Sequence, residues 1–215
     1  MTDMTDFDSL IDKLASNAVP VRARSVRTGR LALAALSVAT LLAVLGTYGF
    51  RSDVLTGELP PMRALASGLM LLLACAAGGS AIRMARPQVG AASSGAPWAL
   101  AALLLIPAIA LAGIIAHPAE LAGLAAGPGL RCLGFGLGAG FAAFVFLVIW
   151  LRRGAPVAPE RAAWLAGLAA GAVGAFAVTL ECPANSLVHI GVWHVAVPLV
   201  AGAAARLVLP RFLHW

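Results

Sequence analysis

Cys132 to Leu151 read CLGFGLGAGFAAFVFLVIWL. No charge interrupts the run, and a helix of that length spans about 30 Å, the thickness of a bilayer's hydrocarbon core. Working outward, comparable runs occupy residues 31–50, 62–82, 97–116, 162–180 and 187–209. Of the chain's 215 residues, 61% are hydrophobic and 11% are charged, and the mean hydropathy is +0.93. A soluble domain carries about 25% charged residues. The expected fold is therefore all-α. Six transmembrane helices fill residues 31–215, and a short cytoplasmic amphipathic helix lies in a separate segment, residues 1–30. Pro107 and Pro198 fall inside the third and sixth runs and are expected to kink them. Neighbouring helices can absorb the carbonyls they leave over.

The net charge of +6 could point to nucleic acid, but the placement of the basic residues points to a membrane instead. One side of the expected topology holds Lys13, Arg22, Arg24, Arg27, Arg30, Arg83, Arg86, Arg152, Arg153, Arg161, Arg206 and Arg211; the other holds Arg51, Arg63 and Arg131. That is twelve against three. By the positive-inside rule both termini are expected to be cytoplasmic. Trp98, Trp150 and Trp164 would then mark the cytoplasmic interface. Arg63 and Arg206, near span ends, can snorkel to the headgroups. The cluster Arg22, Arg24, Arg27 and Arg30 touches membrane lipids. No aromatic residue interleaves with it, so no direct nucleic-acid contact is expected.

The segment 1–30 reads MTDMTDFDSLIDKLASNAVPVRARSVRTGR. A secretory signal begins with basic residues, whereas this segment begins with acidic ones, so it is expected to be retained. Phe7, Leu10, Ile11 and Leu14 follow the i, i+3, i+4, i+7 spacing and form one apolar stripe on a helix of about 13 residues, marginal alone in water. Helices that lie on membranes carry basic polar faces; Asp8 and Asp12 give this one acidic character. Its stripe suits a groove on a soluble partner, with docking on the same chain or on the membrane surface as alternatives.

Chemistry within the spans is sparse. No Asp, Glu or Lys falls inside the six runs, which argues against ion-coupled transport. There is no HExxH, nucleophile elbow or phosphate loop. No enzyme activity, catalytic residue or cofactor is expected. His189 and His194 lie five apart in the sixth run and do not share an α-helical face well. A lone histidine such as His194 is usually a hydrogen-bonded packing residue. His117, Glu120, Cys132, Cys182 and His189 all fall toward the outer side, but their spacing matches no recognised metal pattern, and no metal ligand is assigned.

Cys75 lies inside the second run and reads as packing. Cys132 opens the fourth run and Cys182 follows the fifth, so a helical hairpin returns both to one level at the outer face, where a disulfide is chemically allowed. Gly134, Gly136, Gly138 and Gly140 on one helix, with Gly167, Gly171 and Gly174 on the other, would let the two approach closely. A disulfide or redox couple, unpaired thiols and metal ligands all remain open for this pair.

A set of motifs carries a family resemblance over essentially the whole chain: FDSLIDKLASNAVPV near the N-terminus, RCL opening the fourth run, LRRGAP after it, and Glu181-Cys182-Pro183 leading to Trp193. The chain resembles the bacterial six-span anti-sigma factors called negative regulator of sigma F. The resemblance implies that it holds an extracytoplasmic-function sigma factor at the inner membrane. It also implies a periplasmic cysteine pair, matching Cys132 and Cys182, that takes part in sensing. Many relatives carry tyrosine after the sixth-span tryptophan, where this chain has His194. Two other classes compete: a small transporter or metal- or haem-binding membrane protein with ligands such as His189 and His194, and a purely structural membrane subunit.

Overall fold

The structure, a computed structural model, describes residues 4–17, 25–49, 56–57, 60–86, 95–116, 129–184 and 186–213. A helix α1 (Met4–Ser16) precedes six helices long and apolar enough to cross a membrane: α2 (Val26–Tyr48), α3 (Pro61–Met84), α4 (Gly95–Ala116), α5 (Gly129–Arg152), α6 (Pro159–Glu181) and α7 (Leu187–Phe212). There is no strand among the described residues. The sequence places each span within a few residues of its helix. The largest difference is at α2, which begins at Val26 rather than residue 31 because its first turn carries Arg27 and Arg30. Hydropathy does not register a polar helix end.

At the centre of the bundle stands α6. It packs against α3, α5 and α7, and it can do so because it presents small residues on several faces. A Cβ added at Gly174 would run into the Gly136 carbonyl, and one at Gly140 into the Ala170 carbonyl, so α5 and α6 touch backbone to backbone. On another face Gly167 meets Ala201 and Gly202, and Gly171 meets Pro198, which seats α7. Apolar surface gains little by leaving lipid for another helix, so this close contact is what holds a membrane bundle together. The alternation predicted for α5 is only half used. Gly136 and Gly140 face α6, while a Cβ at Gly134 or Gly138 would meet nothing.

The outer helices turn large side chains to the surroundings. On α4, Leu105, Ile109, Leu111 and Ile115 are all exposed, as acyl-chain contact requires. The polar groups of α2 are satisfied within the helix: Ser37, Thr40 and Thr47 donate to the carbonyls of Leu33, Leu36 and Ala43 at 2.8, 3.0 and 2.9 Å. This removes their cost in lipid. Cys75, expected to pack, is instead exposed on α3.

Two further expectations change. Trp150 is not interfacial. It is buried, donates from Nε1 to the Ile82 carbonyl at 3.3 Å and covers Gly29 of α2. Trp98, 76% exposed, does fit an interface. Arg63 does not snorkel. It lies buried in the first turn of α3, donating from Nη1 to the Thr179 carbonyl at 3.4 Å and from Nη2 to the Ala184 carbonyl at 3.2 Å. The C-terminal end of α6 offers unsatisfied carbonyls and the negative pole of its dipole, which is why a buried guanidinium settles there. Arg206 reaches the opposite end of the bundle, where it pairs with Glu160 at 3.7 Å in an exposed contact.

Candidate functional site

The end of the bundle opposite Glu160 and Arg206 collects most of the buried polar side chains among the described residues. Cys132 enters from the first turn of α5. Cys182 comes from just beyond α6, where its N–H still donates to the Val178 carbonyl at 2.8 Å. Pro183 forbids another helical turn and holds Cys182 extended, at φ −63° and ψ 124°. Val178, Phe135 and Ala184 pack around the two cysteines. Their sulfurs lie 3.4 Å apart and are not bonded to each other. The sequence level of the pair is therefore correct, and the glycine contacts between α5 and α6 explain how two helices bring thiols together. Closing such a pair to a disulfide would draw the sulfurs to about 2.05 Å and remove two electrons and two protons.

Two histidines join them. Ser186 accepts from the His189 N–H at 3.0 Å and so starts α7 with a capped turn. His189 Nε2 lies 3.4 Å from Cys182 Sγ. In an α-helix, residues five apart lie about 140° apart around the axis. Here Ile190–His194 is π-helical, and the Val195 N–H reaches back to the Ile190 carbonyl. The wider turn returns residue i+5 to the same face. The rings of His189 and His194 consequently meet edge to face, 5.3 Å between centroids at 81°. The expectation that they point apart is thus overturned by the local change of pitch. His194 also departs from the hydrogen-bonded packing residue expected of it. It is 1% exposed, and neither ring nitrogen has a hydrogen-bond partner among the described residues.

Cys132, Cys182, His189 and His194 are all buried, and one donor atom from each lies within 4.8 Å of the others. His117 and Glu120, grouped with them on sequence, lie outside the described residues. Sequence reasoning left His194 out of the outer-side group, naming it beside His189 only as a ligand of the competing metal- or haem-binding class, and it missed Arg63 as a support. The usable signal was a pair of histidines five apart around Gly191, with Pro198 four residues after His194. Proline cannot donate to the carbonyl four residues back, a common companion of irregular pitch.

The apolar stripe of α1 is placed as the sequence predicts. Phe7, Leu10, Ile11 and Leu14 are 62%, 51%, 59% and 65% exposed, so no described part of the bundle covers them.

The family model described as "Negative regulator of sigma F" matches residues 14–215. The probable anti-sigma-F factor NrsF of Azospira oryzae is 33% identical over 97% of this chain and 99% of its own length. No solved structure matches. With nearly the whole chain matched and the six-helix architecture in place, the chain belongs to the negative regulator of sigma F family of anti-sigma factors.

Proposed function

We propose that the protein is a regulator rather than an enzyme. It retains an extracytoplasmic-function sigma factor at a bacterial inner membrane and releases it when a redox or metal stress outside the cytoplasm reaches Cys132 and Cys182. The observation that carries the retaining step is the uncovered stripe Phe7, Leu10, Ile11 and Leu14 in a chain of an anti-sigma family. A sigma factor with an apolar groove rimmed by basic residues would bury that stripe and complement Asp8 and Asp12. The family match begins at Leu14, so most of the stripe rests on its own amphipathic pattern. Under the twelve-to-three division of basic residues, α1 lies in the cytoplasm and the cysteine end faces the periplasm. Release requires two states of the bundle with different affinity for sigma. The cysteine pair, set between α5 and the end of α6, is where a chemical change would bias them.

Co-purification from membranes of the full chain with its sigma factor tests the retaining step. The double substitution Leu10→Asp, Leu14→Asp should abolish co-purification while the protein still reaches the membrane. Undiminished sigma retention in that variant sinks the stripe as the binding element.

A further inference from the structure

We propose that Cys132, Cys182, His189 and His194 together hold one thiophilic d10 metal ion, Zn2+ or Cu+, in a closed four-donor site. This deepens the reading above by naming what the cysteine pair takes. The binding itself needs no sigma factor.

Four donors converge from three places in the chain, and a separate local device fixes most of them. Pro183 and the Val178 carbonyl set Cys182, the Ser186 cap sets His189, and the π-helical turn sets His194. The residue least explained by packing is His194. An imidazole in the interior normally finds a partner for its nitrogens, and this one has none among the described residues. A metal bond would satisfy the nitrogen that faces the cluster.

The distances suit the chemistry. With metal–sulfur bonds of about 2.3 Å and metal–nitrogen bonds of about 2.0 Å, tetrahedral donors stand about 3.3–3.8 Å apart. The observed sulfur–sulfur and sulfur–imidazole separations are both 3.4 Å, with all four donors within 4.8 Å. Two thiolates and two imidazoles with no carboxylate exclude Mg2+ and Ca2+, which demand oxygen. They select a soft or borderline ion. Four protein donors leave no open position, as in a structural or sensing site rather than a catalytic one. Zn2+ with two thiolates is electrically neutral, which a buried setting tolerates. On loading, the ion displaces both thiol protons to solvent, and neither metal nor sulfur changes oxidation state. Pro183, next to Cys182, and Ser186, three residues before His189, are exposed, so the cluster lies near the surface of the bundle end. An ion so held would tie α5, the end of α6 and α7 into one unit.

The test uses the full chain in lipid nanodiscs, reduced and stripped of metal, with no sigma factor present. Titration with Co2+ as a spectroscopic stand-in for Zn2+ should show one ion per chain, with thiolate-to-cobalt charge transfer and tetrahedral ligand-field bands. Zn2+ should displace it, and a 1000-fold excess of Mg2+ should not. A parallel Cu+ titration against a chromophoric chelator identifies which of the two ions binds more tightly. X-ray absorption on the loaded protein should report two sulfur and two nitrogen ligands. Cys132→Ser and Cys182→Ser should each abolish stoichiometric binding. His194→Phe, which keeps a ring in the cavity, should weaken it at least tenfold and drop one nitrogen from the absorption fit. Size-exclusion profiles matching the parent protein confirm that each variant is folded.

No stoichiometric binding by the reduced parent chain overturns the proposal. So does a two-sulfur site indifferent to His194→Phe. A failed titration beside intact sigma retention removes only the metal site. Intact metal binding beside undiminished sigma retention by the stripe variant removes only the retaining helix.

Discussion

Helices α2 and α6 are both 23 residues long, with mean hydropathies of 2.0 and 1.8 in their most apolar stretches. Yet 16 residues of α6 are buried and only three of α2: Gly29, Leu33 and Val44. The difference lies in side-chain size. The α6 sequence contains eight alanines, three glycines and three leucines, whereas α2 contains six leucines and two glycines. Hydropathy decides that a helix enters the membrane, and small residues decide that it takes the centre. The contrast also extends to the two candidate sites. The most enclosed helix ends just before Cys182. The most peripheral one follows the segment that bears the exposed stripe of α1.

The sharpest way to break this comparison is to enlarge a glycine on each helix. Gly174→Leu drives a side chain into the Gly136 carbonyl, a backbone atom that cannot step aside. We expect a loss of about 3 kcal/mol or more, with loss of the native fold, read by reversible unfolding in mild detergent. Stability like the parent's would mean that α5 and α6 are not in backbone contact. Second in size is Arg63→Met, which leaves the carbonyls of Thr179 and Ala184 without their guanidinium. The expected cost is about 2 kcal/mol, together with faster alkylation of Cys182 as its turn loosens. An unchanged alkylation rate would show that Arg63 does not brace that turn. Smallest is Gly46→Leu on α2, where an added Cβ meets nothing within 4 Å. Its unfolding midpoint should correspond to a change within about 0.5 kcal/mol. A cost comparable to Gly174→Leu would end the distinction between the two helices.

Much of the fold was legible because bilayer thickness imposes a length that hydropathy can read. Five spans start and stop within about three residues of the helices, and Cys132 and Cys182 follow from the hairpin between two of them. Features that depend on which neighbour a residue meets were not legible. Gly134 and Gly136 look alike in sequence, yet only Gly136 touches another helix. Trp150 and Trp98 both sit at span ends, but one fills the groove over Gly29 and the other stays outside. Arg63 resembles any terminal arginine until the C-terminus of α6 is brought beside it. His194 was hidden by the assumption of a constant 100° per residue, which one π-helical turn breaks.

That turn makes the meeting of the two imidazoles a matter of local helical pitch as well as of composition. A π turn holds one residue more than the α-helix it interrupts. Removing one residue between Ile190 and His194 would restore a regular α-helix with the histidines four apart, about 40° around the axis and still on one face. Both histidines would survive, and α7 beyond Val195 could keep its place on α6. The two rings would still face each other. Within this scaffold a one-residue deletion is therefore absorbed without parting the imidazoles, whereas regular α-helical pitch at the present spacing would turn them about 140° apart.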